Sequence, residues 1–212
     1  MSTLRMHFRV GLLVVLGACG NAVHGQVITN VVRGGTTTNP APVIVPAGMG
    51  NGAVSYVDRT HTYQQVPTFL QGIDFIQVSN VDRNVPDYTL DVTLASAANL
   101  YLLIDFRVGD GSNADPPVLT TLMTWVGANG FTNTGSQLAI DENNDGSIDN
   151  FFQIYSKTMS AGVTRLFEQN DGTGRNMYGV AASIAAVPEP GALVLAGMGM
   201  ALIFRARRRA AS

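Results

Sequence analysis

The sequence has very little cysteine, lysine or histidine. Its only cysteine is Cys19, inside an N-terminal apolar stretch. If that stretch is removed, the rest of the chain has no thiol, so neither a disulfide framework nor a thiolate metal centre is available to it. His61 is the only histidine beyond the N-terminal segment. Zinc needs several His or Cys ligands, and they are not there. Neither G-x-S-x-G nor H-E-x-x-H occurs. His61 reads as an exposed or hydrogen-bonded residue, and Asp58 and Arg59 beside it as partners in surface ion pairs. Lys157 is the only lysine, and the other twelve basic residues are arginines. Between Gln26 and Val187 seven basic residues face fourteen acidic ones. An acidic body is a poor match for phosphate backbones, which argues against a nucleic-acid partner.

Glycine is abundant, at 23 of 212 residues, and the apolar runs are short. Tyr88 to Leu94 alternates strictly, with Tyr88, Leu90, Val92 and Leu94 on one side, as a half-buried strand does. Leu100 to Phe106 is a continuous apolar run, as in a strand through a core. The five residues between them have hairpin length. Further strands are expected at 27–32, 43–45, 54–57, 75–78, 137–140, 151–155, 163–167 and 177–184. Gly34-Gly35, Asn51-Gly52, Asp110-Gly111, Asp145-Gly146 and Asp171-Gly172 punctuate them. Many short strands at close spacing predict a mainly β fold, a jelly-roll-like β-sandwich over residues 26–186. Thr36 to Pro42 reads as a loop. After Pro116-Pro117, the spacing of Val118, Leu119, Leu122, Met123 and Val126 predicts one short helix, and a strand containing Trp125 fits equally.

Both ends read as addresses. Arg5, His7 and Arg9 form a basic region, Val10 to Ala18 an apolar one, and Val23-His24-Gly25 offers a signal peptidase site before Gln26. Residues 1–25 are thus expected to be a signal peptide. A second route stays open, because Leu16-Gly17-Ala18-Cys19 resembles a lipobox whose cysteine is lipidated. At the other end Val187, Pro188, Glu189 and Pro190 precede an apolar segment, 191–204, and a basic cluster of Arg205, Arg207, Arg208 and Arg209. Fourteen residues of helix span about 21 Å, short of the roughly 30 Å hydrocarbon core. The arginines would stay cytoplasmic and leave the body outside.

This order of VPEP, apolar segment and arginine cluster resembles the PEP-CTERM tail of Gram-negative, biofilm-forming bacteria, here over 187–212. The resemblance implies that an exosortase, a membrane-embedded cysteine protease, processes the chain near the motif. The inner membrane is then a transient partner and the cell surface or extracellular matrix the destination. Segments 55–106 and 124–180 also resemble modules of exported bacterial proteins, some of which accompany carbohydrate-active proteins.

The sharpest local motif is Asp141-Glu142-Asn143-Asn144-Asp145-Gly146-Ser147-Ile148-Asp149. Asp141, Asn143, Asp145 and Asp149 supply side-chain oxygens at alternate positions, with Gly146 at the tight turn and a backbone carbonyl at Ser147, which suits calcium. The twelfth position of an EF-hand loop, normally an acid, is Phe152, so the alternative is a polar hairpin around Asp145-Gly146. Glu142 and Glu168 have no evident aspartate opposite them, which leaves no glycosidase pair. Trp125 and Tyr101 are expected to pack in the core rather than to stack on sugars. The expected function is that of a non-enzymatic surface or matrix protein with a structural or interaction role. The alternative is a calcium-dependent carbohydrate-binding module with extracellular polysaccharide as partner.

Overall fold

The alternation of Tyr88 to Leu94 produces what period-two patterning demands. Leu90, Val92 and Leu94 are buried and the residues between them half-exposed. This strand, β5 (Thr89–Leu94), is the middle of a three-stranded antiparallel sheet between β1 (Ile28–Gly34) and β9 (Gly162–Phe167). The apolar run becomes β6 (Ala98–Asp105), in which seven of the eight residues are buried. It lies inside a seven-stranded antiparallel sheet ordered β2 (Val43–Val45), β4 (Asp74–Gln77), β10 (Gly179–Ile184), β6, β8 (Asn150–Met159), β7 (Thr132–Asp141), β3 (Thr62–Gln64). The two sheets enclose one hydrophobic core, so the fold is the expected β-sandwich. The computed structural model describes residues 25–172 and 174–185. The expected leader up to His24, the VPEP motif, the segment 191–204 and the terminal arginines lie outside the described residues.

Three local expectations are corrected. The connection 95–97 is not a hairpin turn, because β5 and β6 belong to different sheets and the chain arches from one to the other. Residues 118–124 form a loop of turns and bends instead of the predicted helix or a strand. A single helical turn, α1 (Trp125–Ala128), appears later, and Met123 before it has a positive φ of 50°. The predicted strand 54–57 makes only isolated bridges, Val54 to Thr62 and Tyr56 to Val78, while β3 was not foreseen.

The last strand, β10, is central. It pairs with β6 on one side and β4 on the other. Its first residue, Gly179, has no room for a side chain, since an added Cβ would lie 2.6 Å from the Tyr63 hydroxyl and 3.0 Å from Leu103 Cδ1. That hydroxyl is buried and has no hydrogen-bond partner.

Candidate functional site

Register divides the sandwich into two poles. Ile184 pairs with Ala98 and Ile28 with Leu94, and Ala98 also pairs with Met159, so these residues lie at one end. The chain enters and leaves at this end. Ala95 N–H donates to the Val27 carbonyl at 2.9 Å, and Ala185 N–H to the Ala97 carbonyl at 3.1 Å. Two short arches, 95–97 and 160–161, cap this pole, and the connections after β2 and before β4 reach it, where Asp74 accepts the N–H groups of Val27, Ile28 and Ala47. The opposite pole, where β6 ends at Asp105 and β10 begins, carries the long connections 78–88, 106–124, 142–149 and 168–178. Function in sandwiches concentrates in such loops, held by a rigid frame.

The loop pole is organised around Arg107. Asp105, fully buried at the end of β6, accepts Arg107 Nε at 2.9 Å on Oδ1 and Nη2 at 2.5 Å on Oδ2. The same Nη2 donates to Glu142 Oε1 at 3.0 Å. Burial alone would lower the guanidinium pKa, but Asp105 and Glu142 outweigh it and raise it. Asn176 joins the group. Its N–H donates to Asp105 Oδ2 at 2.8 Å and its Nδ2 to Glu142 Oε1 at 2.6 Å. Asn150 Nδ2 donates to that oxygen too. Asn80 extends the network inward, with Nδ2 on Asn176 Oδ1 at 3.0 Å and its own Oδ1 accepting Met177 N–H at 2.8 Å. Asp58 accepts Ser79 Oγ at 2.9 Å and the N–H of Asn80 at 2.7 Å.

Sequence reasoning kept Glu142 apart from any aspartate. The fold instead brings Glu142 and Asp105 to one guanidinium nitrogen. A cation shared between two carboxylates compensates both charges. The one trace of this in the sequence is Asp105 itself, an acid ending a buried apolar run with an arginine two residues on. Nothing marks Asn80 or Asn176.

The 141–149 loop joins two paired strands, as expected, and is closed by its own oxygens. Asp141 Oδ1 and Asn143 Oδ1 both accept Asp145 N–H, each at 3.2 Å, and Asp141 Oδ2 accepts Gly146 N–H at 2.8 Å. Asp145 Oδ1 accepts Ser147 N–H at 2.8 Å and Ser147 Oγ at 2.5 Å, which holds the Asp145 carboxyl below its usual range. Asp149 Oδ2 accepts Glu142 N–H at 2.7 Å. Asn144 and Gly146 take the positive φ values the turn needs, 59° and 89°. Among the described residues no three His, Cys, Asp or Glu side chains form a group able to hold a metal ion.

His61 precedes β3 with its ring edge-on to Tyr56 at 5.7 Å. Its Nδ1 is buried without a hydrogen-bond partner, and burial lowers its pKa. Trp125 packs among Phe131, Phe167 and Tyr178, and its Nε1–H donates to the Glu168 carbonyl at 2.9 Å. Tyr101 is 8 % exposed. Tyr101 is therefore a core residue, and Trp125 is half-buried against the core.

Comparison with known proteins gives two kinds of likeness. A β-glucuronidase of glycoside hydrolase family 2 superposes with a TM-score of 0.54 at 14% identity, over 73% of this chain and 14% of that one. A GH138 enzyme targeting pectin rhamnogalacturonan II gives 0.41 at 12% identity, over 78% and 17%, too low to support inference. The first likeness concerns the fold alone, because the chain spans only a small fraction of that enzyme's length. No curated protein matches the chain. Residues 186–209 match the PEP-CTERM protein-sorting motif, which marks a secreted, membrane-anchored precursor processed by exosortase and sorted to the cell surface. The chain accordingly carries a PEP-CTERM sorting motif directly after its β-sandwich.

Proposed function

We propose that the sandwich is non-enzymatic cargo, a structural or interaction domain delivered to the cell surface or extracellular matrix. The carrying observation is the junction. The sorting motif starts at Ala186, one residue after the Ala185 N–H that fastens β10 to the arch at Ala97. The address and the folded domain are thus joined without a spacer. The loop pole supports a role without chemistry. Its arginine is bound to two carboxylates, and one oxygen of Glu142 accepts from three side chains. A calcium ion held by Asp141, Asn143, Asp145, Ser147 and Asp149 belongs to the same proposal. It is supported by the two oxygens, of Asp141 and Asn143, that converge on one amide.

Fractionation of the native host with and without its exosortase tests the reading. Processed protein should leave the inner membrane only when the enzyme is present. Full-length soluble protein in the cytoplasm would end it. A glycan array on the purified protein separates the carbohydrate-binding alternative, which requires reproducible, calcium-dependent binding to one glycan class.

A further inference from the structure

The pole at which the chain enters and leaves exposes almost no charge: its one acid, Asp74, is 5% exposed and accepts the N–H groups of Val27, Ile28 and Ala47. Residues 25–30, 95–99, 158–164 and 184–185 contain no Asp, Glu, Lys or Arg. Ala95, Ser96, Ala97, Ser160 and Ala161 are exposed there, with Val163 67% and Ile184 43% accessible. The nearest charge that is not buried is Lys157, two residues along β8 from Met159, whose Nζ donates to the Asn129 carbonyl at 2.6 Å. The acidic excess lies elsewhere, with Asp58, Asp105, Asp141, Glu142, Asp149 and Asp171 at the loop pole or on its connections.

We propose that this neutral pole is the membrane-facing surface of the anchored precursor, seated against an anionic lipid surface with the loop pole outward. Five residues, Ala186 to Pro190, separate the sandwich from the apolar segment, and their full reach is at most about 18 Å. The eight residues of β6 make the sandwich about 27 Å tall. The tether alone would let the domain tip onto its side. Tipping brings fourteen acids against seven bases toward a negative surface, within the roughly 8 Å over which charges act at physiological salt. Standing on this pole keeps the acidic loops beyond that range, with Asp74 buried and Lys157 the nearest unburied charge to the lipid. The inference rests on the anchoring that the sorting motif marks, and not on what the loop pole binds.

The test uses the full-length precursor with Cys19→Ser, carrying one fluorophore at Ser160→Cys or at Thr60→Cys. It is inserted in vesicles of phosphatidylethanolamine and phosphatidylglycerol that contain a headgroup nitroxide quencher. Quenching should be several-fold stronger at position 160 than at 60. Adding Ser96→Glu and Ala161→Glu, on exposed arches, should bring the two positions toward parity. Precursor that does not float with the vesicles overturns the anchoring and the inference with it. Precursor that floats but is quenched equally at both positions overturns the inference alone. An unchanged contrast after the two acids are added overturns electrostatic seating.

Discussion

The two poles of the sandwich are made of different materials. One is capped by two short arches of alanine and serine, and both ends of the domain leave through it. The other concentrates long connections and buried polar groups around Asp105, Arg107, Glu142 and Asn176. A short arch satisfies its backbone with one or two strand-end hydrogen bonds and needs no side chains. Long loops must recruit asparagine, glutamine and carboxylate groups to pair buried N–H and C=O groups. The loop pole should therefore be the fragile one, and the terminal pole the tolerant one.

The largest effect is expected from Arg107→Ala, which leaves the fully buried Asp105 charge without its partner. Breaking a buried pair costs about 3–5 kcal/mol, a large share of the ~5–15 kcal/mol that stabilises a domain. Urea unfolding should show it, whereas Ser96→Ala at the other pole should shift stability by less than about 0.5 kcal/mol. Comparable losses at both sites would erase the distinction.

Next comes the close approach inside the core. Gly179→Ala forces a methyl group onto the Tyr63 hydroxyl, which should cost about 1–3 kcal/mol. Tyr63→Phe removes a buried, unpartnered hydroxyl and should gain about 1 kcal/mol. Together the two changes should cost less than their sum, because the clashing atom is gone. Strict additivity would mean that the hydroxyl is not the obstacle.

Calcium is expected to act on the loop pole alone. At free calcium ten times the dissociation constant, binding to the folded state is worth about 1.4 kcal/mol. The unfolding temperature should rise with calcium and fall with chelator, and Asp141→Ala with Asp145→Ala should abolish the response. Indifference to millimolar calcium would leave 141–149 a polar hairpin.

The smallest effect concerns pH. Burial lowers the His61 pKa below its unfolded value, so the unfolded chain takes up the proton first. Stability is therefore complete above the unfolded pKa of about 6.5 and falls as pH drops below it toward the folded value. His61→Gln should flatten the Tm profile across that window. An unaltered slope would place the titration elsewhere.

What could be read in advance follows from periodicity. Strands β5 and β6 were visible because alternation and a long apolar run are one-dimensional signals, and the 141–149 loop because its oxygens are close in sequence. The destination of each strand was not visible. The three residues between β5 and β6 suit a hairpin or an arch equally, and only the packing of two sheets decides. Residues 118–126 have helical spacing, yet only Met123 and Val126 are buried in the core, Leu119 is half-buried against it and Val118 is exposed. The Arg107 network joins residues up to 97 positions apart through Asn80 and Met177, beyond the reach of any local pattern. The sorting tail was legible because it is read as a linear sequence, VPEP before an apolar stretch and arginines.

The central claim is that this tail governs the delivery of the sandwich. Its most direct test replaces Pro188, Glu189 and Pro190 with alanine in the native host and follows the mass and location of the protein. The account predicts an uncut precursor retained in the inner membrane. Normal processing and release to the surface would contradict it.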